Sequence, residues 1–410
     1  MQTAKYSFRI PLLIGLIILL GTCKSQENKA TVSAPGSDPP GNQQGVVGGP
    51  FENGDFFYIG MPDIIHPVDT SPGWTQDGQH LLITGTMYQR DGRTPAPGVI
   101  LYYYHTDIHG YYSNRDGLDP TVVRHGYIRG WVKSDENGKY SIYTVRPAPY
   151  PNEDLPAHIH PAIKEPGIDK EYYIDEFVFD DDPLLTTAKR KALENRGGSG
   201  ILRVLNSGNL QIAEHNIILG LNIPNYPEPV TSGVSSGLEI GEDNPSFIPY
   251  HAFGPDKGSR ACPVCKYGRY HGVMYFVGNH PDWEDIIKWL VFLDEESGRR
   301  STYLKAYFVY GNENAYSRIG RENELDNMGR QLRLKNIALT YVPSMADKES
   351  EVYLNRINPE VENTFVVFKH RTIVDKFINF TATPEHFNQL SRVLDMTQGN
   401  YFDLPEPKHN

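Results

Sequence analysis

The chain has 410 residues, more than one ordinary hydrophobic core accommodates, so two folded domains are expected. Its 50 acidic against 39 basic side chains give a formal net charge of -11, and no Lys/Arg-rich tract interrupts that balance. This balance argues against a nucleic-acid-binding surface.

In chain order, the N-terminus reads first as a targeting segment. Lys5 and Arg9 precede the apolar run 10–20, and Gly21-Thr22-Cys23 follows. The run is too short for a mature membrane span and has the n-region and h-region of a secretory signal. Leu20-Gly21-Thr22-Cys23 resembles a bacterial lipobox, which implies cleavage before Cys23 and a lipid on its thiol; a plain signal peptide cleaved nearby is the alternative. The expected organisation is a lipoprotein-type signal peptide over 1–22 and a flexible tether over 23–56, rich in Gly, Pro, Ser, Asn and Gln. Lipidation of Cys23 leaves Cys262 and Cys265 as an even pair, which fits an oxidising compartment. The chain is therefore expected to be exported, as a bacterial periplasmic or outer-membrane-anchored lipoprotein.

Residues 57–223 contain short β-type segments at 80–88, 98–104, 130–134, 139–145, 157–163 and 211–219, with turn residues between them. That rhythm, with 26 tyrosines in the chain, predicts a β-sandwich. One helix is expected over 183–195. A Pro/Gly/Ser-rich stretch over 224–248 marks a linker. Beyond it the pattern alternates: strand 273–277, helix 281–296, strand 303–310, helix 322–334, strand 337–342, hairpin 364–368 with 372–380, and helix 384–394. This order predicts a compact α/β domain of thioredoxin-like topology over 249–400, then a tail over 401–410.

Within the sandwich, His158 and His160 are separated by one residue. On a strand both imidazoles project to one face while Ile159 enters the opposite layer. Two neutral imidazoles on one face form half of a transition-metal site, and Tyr150 on the loop before them can add an oxygen donor. An exposed strand pair is the ordinary alternative for His-x-His.

Several ordered motifs over residues 83–220 resemble the intradiol ring-cleavage dioxygenases, the family of catechol and protocatechuate dioxygenases. They are Gly85-Thr86 with Asp91-Gly92, Pro97-Gly98-Val99, Thr106-Asp107-Ile108-His109-Gly110-Tyr111-Tyr112, Arg129-Gly130 through Gly138-Lys139-Tyr140, and Pro149-Tyr150-Pro151 with Pro156-Ala157-His158-Ile159-His160. The resemblance implies four ligands to Fe(III): Tyr112, Tyr150, His158 and His160. It also implies that Tyr150 is the axial ligand displaced by substrate. The implied reaction cleaves a catechol-type diol with O2 to a muconate-type dicarboxylate. Two phenolates and a hydroxide balance a trivalent charge, and hard oxygen donors favour ferric iron. Tyr111 is the alternative to Tyr112 if the register slips. Leu155 stands where the family usually has an arginine, so either another cation substitutes, with Arg124 and Arg129 as candidates, or the rate and substrate range differ; each of these arginines can equally be an ordinary surface charge. The acidic run 171–182 is read as a helix-capping turn, with Asp181 or Asp182 at the cap.

Cys262-Pro263-Val264-Cys265 resembles a thioredoxin motif, but it precedes the first expected core strand instead of following it. It is read as a redox pair, a structural disulfide, or a metal half-site with His251 or His271. Two rival functions follow. One is an exported thioredoxin-like thiol oxidoreductase, the other a non-catalytic binding module carrying a degenerate dioxygenase-like sandwich.

Overall fold

The computed structural model describes residues 45–51, 54–227, 233–314 and 316–399. The expected signal peptide, Cys23, the tether up to residue 44 and the 401–410 tail lie outside the described residues. The described residues belong to one compact unit.

Its N-terminal half contains α1 (Gly54–Tyr58), β1 (Val68–Thr70), β2 (His80–Tyr88), β3 (Ile100–His105), β4 (Arg129–Lys133), β5 (Lys139–Val145) and β6 (His158–Lys164). It continues with β7 (Tyr172–Tyr173), β8 (Phe177–Phe179), α2 (Thr187–Lys191), β9 (Ile201–Leu202), β10 (Val204–Ser207), β11 (Leu210–Glu214) and β12 (Ile217–Ile218). These strands build two sheets, ordered β1-β5-β2-β11-β10 with β12 on β2, and β4-β3-β6-β8-β9 with β7 on β6. Alternation decides which side chains meet between them. Leu81 and Ile83 of β2, Ile142 of β5, Leu101 of β3 and Ile159 of β6 are all buried in one shared core.

Four expectations change here. The expected strand 211–219 is broken at His215-Asn216, because Tyr140 donates its hydroxyl to the His215 carbonyl and Thr86 donates its N–H to Asn216 Oδ1. The expected helix 183–195 contracts to α2, capped by Thr186. Neither Asp181 nor Asp182 caps it: Asp182 accepts from the N–H groups of Ala157 and Leu184, and Asp181 pairs with Arg146. The end of the expected tether is also part of the fold. Gly48 N–H bonds to the Pro224 carbonyl, and Phe56 and Phe57 of α1 are buried.

The C-terminal half contains β13 (Tyr250–Phe253), α3 (Pro263–Tyr267), β14 (His271–Val277), α4 (Trp283–Arg299), β15 (Leu304–Tyr310), α5 (Arg318–Gln331) and β16 (Ile337–Tyr341). It ends with β17 (Thr364–Lys369), β18 (Thr372–Ile378) and α6 (Pro384–Thr397). One sheet results, ordered β13-β16-β15-β14-β17-β18, with β14, β15 and β16 parallel and β17 and β18 an antiparallel hairpin. Asp282 accepts from the N–H groups of Glu284 and Asp285 and so starts α4, whose Ile286, Trp289, Leu290 and Leu293 recur on one face and bury against the sheet. The short β13 and α3 were not anticipated. The segment expected to be a linker is packed beyond residue 235: Leu238 and Phe247 enter the core on the other face of this sheet. Buried Arg203 joins the halves, donating to the His370 carbonyl and to Asp243.

Candidate metal centre

β6 positions the site. It lies between β3 and β8, with Tyr104 opposite His160, and Val178 and Phe177 opposite His158 and Ile159. Ile159 is fully buried between the sheets, so His158 and His160 share the other face. His158 is buried and His160 half-buried, with rings 4.6 Å apart at nearly right angles.

Two loops bring tyrosines to this face. The Asp107 carboxylate accepts from the N–H groups of His109 and Tyr111 and from the Ser113 hydroxyl, which fixes the turn that carries Tyr112. The Ala148 N–H donates to the Asp107 carbonyl, tying this turn to the loop of Tyr150. At Gly110 (φ +84°) the loops touch so closely that a Cβ would lie 2.1 Å from the Pro149 carbonyl oxygen. The Tyr112 and Tyr150 hydroxyls consequently sit 2.5 Å apart. Tyr111, the alternative to Tyr112, is exposed.

The four side chains converge on one point. Tyr112 Oη is 2.7 Å from His160 Nε2, and Tyr150 Oη is 3.1 Å from His158 Nε2 and 3.3 Å from His160 Nε2. Donors about 2.0–2.1 Å from a common metal and roughly 90–109° apart lie about 2.9–3.4 Å from one another. The two Tyr150–histidine distances fall in that range and both Tyr112 contacts are shorter, so the set fits a single ion once Tyr112 Oη draws back by a few tenths of an ångström. Both tautomers suit that fit. His158 Nδ1 is 2.8 Å from the Pro156 carbonyl oxygen, which can only accept, and His160 Nδ1 is 2.9 Å from Glu176 Oε1. Each Nδ1 therefore carries the proton, and each Nε2 presents a lone pair to the centre.

Burial shapes the protonation states. It raises the Tyr112 phenol far above its ordinary value, with the bond to Tyr150 adding to the effect, and raises Tyr150 as well. It lowers the His158 imidazole, aided by neighbouring His160. A cation at the focus reverses this balance for the phenols, favouring phenolate over phenol.

Behind His160 the rings form a stack. Tyr104 lies on His160 at 4.6 Å and on buried His125 at 3.8 Å, while His125 Nδ1 meets the Tyr102 hydroxyl at 2.8 Å. Beside it opens a cleft of about 470 Å³ lined by Tyr104, His160, Tyr173, Glu176, Glu194 and Arg196, among others.

The two cations considered as replacements for an arginine at position 155 are engaged elsewhere. Arg129 is buried over Trp131 and Tyr102 and donates to the Ile59 carbonyl and the Tyr102 hydroxyl; Arg124 is exposed and lies over Phe56. Leu155 is itself 44 % exposed. Glu176, by contrast, was treated in the sequence only as part of an acidic run. Its carboxylate and the ring nitrogens of His158 and His160 lie within 4.8 Å of one another. The missing signal was the pairing of β6 with β8, a non-local contact.

Residues 65–197 match the Dioxygenase family model. The chain is 28 % identical over 131 residues to the catechol 1,2-dioxygenase of Acinetobacter baylyi, covering 28 % of this chain and 41 % of that protein. It is 28 % identical over 145 residues to a chlorocatechol 1,2-dioxygenase of a Pseudomonas species, covering 31 % and 55 %. The chain thus spans about half the length of these relatives. A solved hydroxyquinol 1,2-dioxygenase of Pseudomonas putida aligns at 25 % identity and a TM-score of 0.31, over 40 % of this chain and 63 % of that one. The matched segment contains all four converging donors.

Away from this centre, Cys262 and Cys265 are joined in a disulfide, and Cys262 Sγ accepts from the Cys265 N–H at the start of α3. His251 Nε2 lies 2.9 Å from the Ala261 carbonyl oxygen and His271 Nε2 2.9 Å from the Thr397 hydroxyl. Among the described residues, no group of three ligating side chains includes either cysteine.

Proposed function

We propose that the sandwich is a non-haem Fe(III) intradiol dioxygenase that cleaves a catechol-type aromatic diol with O2 to a muconate-type dicarboxylate. The observation that supports this reading is the convergence of two phenols and two imidazole Nε2 lone pairs at one point. Ferric iron, when bound by these residues, would supply Lewis-acid chemistry toward the diol and its reaction with O2.

Tyr112, Tyr150, His158 and His160 would hold the ion. The Nδ1 edges of His158 and His160 are held by the Pro156 carbonyl and by Glu176, which turns each Nε2 toward the ion. Tyr150 Oη is placed to take a proton from an entering catechol hydroxyl. Burial raises its proton affinity, which suits Oη to hold that proton. Tyr112 remains as the fixed oxygen donor, and Tyr104 holds the His160 ring plane from one face. One carbon–carbon bond and the O–O bond break, both oxygen atoms enter the product, and no outside reductant is consumed.

The test is turnover under 18O2. The reading expects one labelled oxygen in each new carboxylate of the ring-opened product. Iron-loaded protein that consumes no oxygen across a panel of catechols would favour the non-catalytic binding module.

For the C-terminal half we propose a thioredoxin-like fold. The support is the β14-α4-β15 unit followed by the β17–β18 hairpin and α6. Its cysteine pair precedes β14 and reads best as a local bridge. Export with a lipid on Cys23 is likewise proposed, from the N-terminal motif alone, and intact mass of the membrane-extracted protein tests it.

A further inference from the structure

We propose that Glu176 is a positioning residue of the metal centre: its carboxylate fixes the tautomer and ring plane of His160 and sets how strongly that imidazole donates. The proposal rests on the ferric reading above and adds the means by which the ion is tuned.

The geometry is asymmetric. Both imidazoles need a partner at Nδ1 to present Nε2 inward. His158 has a neutral one, the Pro156 carbonyl at 2.8 Å. His160 has a charged one, Glu176 Oε1 at 2.9 Å. The β6–β8 register explains the contact: Ile159 pairs with Phe177, so the next residue along β6, His160, meets the residue just before β8, Glu176. Tyr104 stacks on the His160 face at 4.6 Å, so the ring is held by its face and by its Nδ1 edge together.

A carboxylate accepting from Nδ1–H pulls the proton toward itself and leaves more electron density at Nε2. A full negative charge beside the centre also favours the higher oxidation state of a bound ion. Glu176 therefore stabilises ferric over ferrous iron and makes the ferric ion a weaker Lewis acid than the other ligands alone would. A glutamine at 176 keeps an acceptor for the Nδ1 proton but removes the charge, whereas a leucine removes both.

The experiment compares the full chain with Glu176→Gln and Glu176→Leu. With ferric iron, Glu176→Gln should bind iron fully, move the phenolate-to-iron absorption band to longer wavelength and raise the ferric/ferrous potential. Glu176→Leu should weaken iron on the order of 10–100-fold in chelator competition. An unmoved band and potential in Glu176→Gln would overturn the proposal, as would unchanged affinity in Glu176→Leu. Loss of iron in both variants as complete as in His160→Ala would also overturn it, because Glu176 would then be a ligand itself. A readout without metal separates this proposal from the ferric reading. 15N NMR of histidine-labelled, metal-free protein should find His160 as the Nδ1–H tautomer in the wild type and as a mixture in Glu176→Leu. The same mixture in both proteins would sink the role of Glu176 whether or not iron binds.

Discussion

Gly110→Ala tests the claim that one close backbone approach assembles the two tyrosine donors. Gly110 has φ +84°, and its added Cβ would stand 2.1 Å from the Pro149 carbonyl oxygen and 3.0 Å from Pro151 Cδ. Gly117 is the internal control, with φ +83° and nothing within 4 Å of an added Cβ. Both substitutions force alanine into the left-handed region, at a cost of about 1–2 kcal/mol. Only Gly110→Ala also pushes two loops apart, by roughly 1 Å to restore ordinary contact, which adds about 1–3 kcal/mol. At an unfolding entropy of about 2 cal/mol/K per residue, the control should melt about 1–3 °C lower and Gly110→Ala about 3–7 °C lower. The same displacement separates hydroxyls that now lie 2.5 Å apart, and a misplacement of about 1 Å is worth roughly 100-fold in activity. Calorimetry with iron analysis and visible absorption reads both effects. If the two variants melt alike and Gly110→Ala keeps the full band, the loop approach does not build the site.

Three further outcomes are expected. Burial pushes the imidazoles of His105 and His215 down to about 4, so both stay neutral in the folded protein while the unfolded chain protonates near pH 6.5. Their contribution is complete above pH 6.5, is lost as pH falls to about 4 and levels off below; each is worth at most roughly 3 kcal/mol, and a flat urea-unfolding profile between pH 7.5 and 4.5 would refute this. Asp175, Glu176 and Glu194 outnumber Arg196 among the charged side chains lining the cleft beside His160, and Leu155 offers no further cation. Anaerobic spectral titration should therefore find catechol bound about tenfold tighter than its ring-carboxylated analogue, about 1.4 kcal/mol, and the reverse order would remove the cleft from the binding path. The bridge between Cys262 and Cys265 closes a ring only three residues apart in sequence, worth about 2 kcal/mol by chain entropy. Replacing both with serine should lower the melting point by a few degrees and leave the iron band in place, whereas loss of the band would tie the bridge to the metal centre.

The sequence was most legible where one local rule decided the outcome. Strands β2 and β5 begin and end where alternation placed them, because each alternates core and outer side chains over most of its length. His158 and His160 share a face because a strand allows nothing else. Legibility failed where distant contacts decided. β13 has four residues and exists because β16 pairs with it. Residues 183–195 have helical composition, yet Asp182 anchors its turn to Ala157, leaving only five residues for α2. The Gly/Ser-rich stretch before β13 looked like a linker, but Leu238 and Phe247 inside it had a sheet face to cover. Arg129 looked available for chemistry because its sequence position hides Trp131, Tyr102 and the Ile59 carbonyl around it. Glu176 looked like one acid among several until β8 placed it on His160.

The most direct measurement is the visible spectrum of the iron-reconstituted chain, taken with its iron content and repeated for Tyr112→Phe and Tyr150→Phe. The account predicts a coloured protein whose phenolate-to-iron band is shifted or weakened by each substitution. Protein that stays colourless and iron-free after reconstitution, or a band indifferent to both tyrosines, would contradict it.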